Sequence, residues 1–177
     1  MEKWMLTLVL VTLVPLGVLA DADDVFVARF DAGIGVDPVS GILSSTTPPS
    51  PILNVVRGVA PGGAPWRIGK FKASVRRDGH IVVEGHHLVL AGGNSLGQSL
   101  GVSVQAQLFC GAGSTSPLTT TVTTLNGNGD FRFDEGLPSA PPNPCVNPVL
   151  LIVIPPSAPS GAPHWLAAGV PQLDLDD

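Results

Sequence analysis

"FKASVRRDGHIVVEGHHLVLAGG", residues 71–93, reads as two β-strands joined by a tight turn. Phe71, Ala73 and Val75 alternate with Lys70, Lys72, Ser74 and Arg76. That period of two puts apolar side chains on one face of a strand and polar ones on the other. Past the turn, Ile81 and Val83 belong on the same inner face. A two-residue Asp78-Gly79 turn would set Val75 opposite Val82, an outward position. A three-residue loop, Arg77-Asp78-Gly79, sets Val75 opposite Ile81 and Ala73 opposite Val83, and keeps the apolar faces together. It also puts Gly79 where a type I turn with a G1 bulge needs a left-handed residue. The alternation then slips, because Ile81 and Val83 are odd-numbered while Leu88 and Leu90 are even. One residue must be absorbed between them. Gly85 is the expected bulge, with His86 and His87 just after it.

The same strand-and-turn grammar runs outward through the chain. Strands are expected over roughly 24–30, 52–59, 66–76, 80–90, 101–110, 117–125, 129–134, 148–154 and 163–170. Their connections are rich in Gly, Pro, Ser and Asn, and the chain carries 21 glycines and 18 prolines. Outside the first twenty residues no window shows a helical apolar period. This pattern predicts an all-β domain, an antiparallel, immunoglobulin-like β-sandwich of about seven to nine strands. "NPVLLIVIP" carries six consecutive apolar residues, Val149 to Ile154, and reads as a central strand buried on both faces. "TTTVTTL" reads as a more exposed strand, and "NGNGDF" as a turn leading into Phe131 and Phe133. Residues 31–51 are expected as a long loop and 171–177 as an acidic tail.

The first twenty residues have the layout of a secretory signal peptide: Lys3, then an apolar run from Trp4 to Ala20. Cleavage is expected after Ala20 or Ala22, leaving residues 21–177 as one domain with no membrane span. The net charge is -5, which disfavours generic binding to nucleic acid. Two cysteines, Cys110 and Cys145, are expected to pair in an oxidising compartment. Closing that loop is worth about 4 kcal/mol on the chain-entropy model.

Several constellations invite a chemical reading. His80, His86, His87 and His164 are the residue type that most often ligates metals, but none has a carboxylate or thiol at a familiar ligand spacing. No metal or other cofactor is therefore expected. "GNSLG", residues 93–97, matches a nucleophile elbow, and Ser95, Asp130 or Asp134, and His164 follow in hydrolase order. The elbow needs a helix after its serine, and here another strand follows, so no catalytic residue is expected. Trp66, Arg67, Lys70, Lys72, Arg76 and Arg77 form the candidate binding set, a basic stripe beside an aromatic ring. Such a stripe suits an acidic polysaccharide or an acidic protein surface. Equally, lysines on an outer strand face protect it from unwanted pairing. Trp165 reads as a core plug.

The series "APWRI", "DGHIVVEGHHLVL", "LFC", "PPNPCVNPVLLIV" and "HWLAAG" is similar to a set of uncharacterised exported bacterial single-domain β proteins, across roughly residues 52–170. The resemblance implies a compact β domain with a mid-chain cysteine and a second before an apolar strand; it carries no activity. The expected role is an exported, non-enzymatic envelope or extracellular binding or structural module. A metal-binding exported protein and a secreted serine hydrolase are its rivals.

Overall fold

The computed structural model describes residues 25–43, 48–113, 115–157 and 161–172. The expected signal segment and residues 173–177 of the acidic tail lie outside the described residues. The strands are β1 (Phe26–Gly35), β2 (Val39–Leu43), β3 (Ser50–Leu53), β4 (Ala60–Pro61), β5 (Trp66–Arg67), β6 (Lys70–Arg76), β7 (His80–His86), β8 (Val89–Leu90), β9 (Ser103–Phe109), β10 (Leu118–Thr119), β11 (Thr123–Thr124), β12 (Phe131–Gly136), β13 (Val149–Ile154) and β14 (His164–Pro171).

The β6–β7 hairpin has the expected register: Val75 faces Ile81, Ala73 faces Val83 and Phe71 faces Gly85. Gly79 stands at φ +89°, and its N–H closes the turn on the Arg76 carbonyl at 3.0 Å. The Asp78 carboxylate accepts the His80 N–H at 2.9 Å, which is why a short polar side chain suits this loop.

The expected bulge at Gly85 is not there. β7 pairs with β6 without interruption as far as His86. The slip falls at His87, which adopts φ +57° and turns the chain out of the main sheet into β8. β8 pairs with β5, Trp66 facing Leu90, so both arms of the hairpin break at one corner. There the Gly69 N–H donates to the His86 carbonyl at 2.9 Å. Gly85 is glycine for a packing reason: a Cβ would lie 2.2 Å from atoms of the Phe131 ring.

The main sheet runs β10-β9-β13-β14-β1-β6-β7-β12, with β11 also on β9 and β4 on β14. It is antiparallel apart from the short β4–β14 pairing and curls into a half-barrel. The pairing joins these strands in one sheet and does not confirm an immunoglobulin-like division into two facing sheets. Ile81, Val75, Phe30, Leu150, Ile152 and Leu166 are all fully buried within the curl. β13 lies between β9 and β14 with Leu150 to Val153 fully buried, as its apolar run demands. Trp165 is also buried, and its indole N–H reaches the Asn54 carbonyl at 2.8 Å.

Residues 31–51, expected as a loop, carry the second half of β1 and the β2–β3 hairpin. The strand expected over 52–59 stops at Leu53, and beyond it only Val56 and Val59 bridge. "TTTVTTL" splits at Thr120, whose hydroxyl accepts the Ala106 N–H at 2.9 Å in place of a backbone partner. Cys110 and Cys145 form a disulfide with Cα atoms 4.9 Å apart, tying the end of β9 to the approach of its neighbour β13. Among the described residues, no helix is long and apolar enough to cross a membrane.

Candidate functional site

The outer face of β1, β6, β7 and β12 gathers most of the charged side chains singled out in the sequence. Register explains how. Phe30 faces Ala73 across β1 and β6, and Asp31, next along β1, lines the same cleft as Lys72. Lys72 faces Glu84, and Glu84 faces Arg132. Opposed residues in an antiparallel pair project from the same face. A row of alternating sign therefore crosses β6, β7 and β12, namely Lys72, Glu84 and Arg132, with Asp31 of β1 lining the cleft beside it. The next row sets Lys70 opposite His86, and His86 reaches the Asp130 carboxylate at 3.4 Å.

The basic stripe is thus largely neutralised. Arg76 sits 3.7 Å from Asp78. Arg132 is paired with Glu84 and lies 2.6 Å from Asp134. His80 lies 3.0 Å from the other oxygen of Asp134 and is cationic only when protonated. The Asn126 side-chain amide, aided by the His87 backbone N–H and by His86, holds the Asp130 carboxyl below the usual carboxylate range. Arg132, with help from His80, does the same for Asp134. Lys70 and Lys72 differ: both are exposed, and among the described residues neither has a hydrogen bond or ion pair.

Those two lysines rim an open cleft of about 450 Å³. Gly33 and Phe71 also line it, and Gly33 is glycine for packing, since a Cβ there would lie 2.6 Å from the Cβ of the buried Phe71. Asp31, Glu84 and His86 complete the rim. Two further depressions, of about 470 and 170 Å³, adjoin it, and Lys72 lines all three. Together they form a trough across the face.

No family model, curated protein or solved structure matches the chain.

The other candidate residues are dispersed. Trp66 is buried in the core and is not a surface platform for a ligand. Arg67 lies on β5, past the corner, and Arg77 is in the hairpin turn. Ser95 sits in the loop between β8 and β9, Asp130 and Asp134 at β12, and His164 at the start of β14. β1, β6 and β7 separate β14 from β12. His164 Nδ1 lies 3.2 Å from the Pro61 carbonyl and both aspartates are engaged as described, so among the described residues no hydrogen bond joins Ser95, His164 and either aspartate. Among the described residues no three His, Cys, Asp or Glu side chains converge to hold a metal ion. Asp31 was hidden in the sequence by the Gly-rich run after it, which reads as loop. The alternation of Ala28 and Phe30 with Arg29 and Asp31 is the signal that places it on the outer face.

Proposed function

We propose that this chain is an exported, non-enzymatic binding module that takes an anionic ligand across the outer face of β1, β6 and β7. One observation carries the reading. Among the described residues Lys70 and Lys72 have no ion-pair partner at the cleft, whereas the neighbouring Arg76 and Arg132 are held by carboxylates. An ammonium group without a partner keeps its full capacity for an incoming anion. Export is supported by the signal-like segment 1–20 and by the disulfide, which persists in oxidising compartments.

The test is co-sedimentation of the purified protein with envelope fractions of its host at low and high salt. The expected result is retention at low salt that high salt removes, since exposed charges are screened. Replacing Lys70, Lys72 and Arg76 by glutamine is expected to abolish retention while the thermal transition is kept. Retention that survives this triple change, or none at either salt, would overturn the proposal.

A further inference from the structure

The ligand class follows from the sign pattern of the trough. We infer that it binds an oligosaccharide bearing carboxylate sugars, that is, uronic acid units; this rests on the anionic-ligand reading above.

An acidic protein surface or polyanionic peptide fits poorly. β6 pairs with β7 from Lys70 to Val75 but with β1 only from Ala73 to Arg76, so charge and not strand pairing decides the ligand class at the trough. The same cleft is lined by Asp31 and Glu84 as well as by Lys72. A densely charged polyanion would meet both carboxylates, and like charges at close range repel. A chain with one carboxylate per ring and hydroxyls between has the opposite relation to the site. Its carboxylates find Lys70 and Lys72, and its hydroxyls donate to Asp31, a strong acceptor with no partner among the described residues. A cleft of about 450 Å³ is within the ordinary range for small-ligand sites, and the adjoining depressions extend it for further units.

The experiment is calorimetric titration of the full chain with short oligogalacturonate, a neutral gluco-oligosaccharide of equal length and poly-L-glutamate. Oligogalacturonate is expected to bind, and the other two much more weakly. Lys70→Gln with Lys72→Gln should weaken oligogalacturonate by about tenfold or more. Asp31→Asn is the deciding variant. Loss of a charge-assisted acceptor should weaken oligogalacturonate by roughly three- to tenfold. If binding is plain attraction of anions, removing a negative charge beside Lys72 should strengthen it, and that result overturns the inference. Preference for poly-L-glutamate also overturns it while leaving the anionic-ligand reading standing. Binding of none of the three, by a variant set that melts like the parent, overturns the sugar assignment, and salt-sensitive envelope retention then decides the broader reading separately.

Discussion

Gly129 carries two independent constraints. It stands at φ +79°, and a Cβ there would lie 2.4 Å from the Leu88 carbonyl oxygen. The neighbour is backbone, and the Leu88 N–H donates to the Gly129 carbonyl at 2.9 Å, so neither strand can retreat without losing a bond. Gly129→Ala is expected to cost at least about 2 kcal/mol in urea unfolding, from left-handed strain plus the clash. Gly63→Ala, where nothing lies within 4 Å, should change stability by no more than about 0.5 kcal/mol. Equal effects at the two sites would show that the contact with Leu88 does not constrain the turn. The "NGNG" run announces this turn, and Asn126 Oδ1 duly accepts the N–H groups of Asn128 and Asp130 at 2.9 Å each. What it hides is which glycine is irreplaceable, because that depends on Leu88, far earlier in the chain and brought in by the corner at His87.

Among the elements, β7 and β12 show how a strand near the seam is held. Their ladder runs from Phe131 opposite Gly85 to Gly136 opposite His80. Outside it, His80–Asp134, Glu84–Arg132 and His86–Asp130 form three cross-strand contacts between unlike groups. Both aspartates have folded-state pKa values below the ordinary carboxylate value, so their ionised forms favour the folded state. A depressed carboxylate contributes stability above its unfolded pKa, near about pH 4, and loses it as pH falls through the lower folded value. The variant with Asp130→Asn and Asp134→Asn should therefore melt below the parent at neutral pH. The gap should close as pH drops from about 4 toward 2, in a series of thermal melts. A gap that is constant with pH would mean that the contacts act through shape alone. The register of the β6–β7 arm was legible because odd-numbered apolar residues and one left-handed glycine admit a single loop length. The position of the slip was not. Parity shows that one residue is absorbed between Val83 and Leu88, while the burial of Phe131 against Gly85 decides that it is His87. The charge neutrality of the outer face was equally hidden, because Asp31 and Arg132 reach Lys72 and Glu84 only through pairings between distant segments.

At the scale of the molecule, a curled sheet must manage the seam between its ends. β11 and β12 approach there without a backbone ladder among the described residues, and the Glu135 carboxylate of β12 holds the link between β10 and β11, accepting the Thr121 N–H at 2.7 Å and its hydroxyl at 2.9 Å. Such a side-chain bridge leaves no trace in local pattern, and the short alternating strands did not tell that most of the pairing runs through one curled sheet, with β2–β3 and β5–β8 as separate two-stranded sheets. The opposite flank, at β9 and β13, is fastened covalently, and this part was legible from two cysteines beside apolar strands. Arg57 adds to it: its guanidinium donates to the Gly111 and Asn147 carbonyls at 2.9 Å each, on either side of the disulfide. The Cys110–Cys145 link spans a sequence separation of 35, and the chain entropy that closing such a loop removes from the unfolded state is worth about 4 kcal/mol. Changing both cysteines to alanine is expected to lower the melting temperature by on the order of 10 °C for a domain of this size. Dithiothreitol should produce a similar drop in the parent and none in the variant. The backbone contacts around the link, including the Gly111 N–H to the Val146 carbonyl, should keep the corner folded at low temperature. Near-ultraviolet circular dichroism should then be retained in the variant below its transition. A variant that melts with the parent would place the stability of this flank in the buried face of β13 instead of in the covalent link.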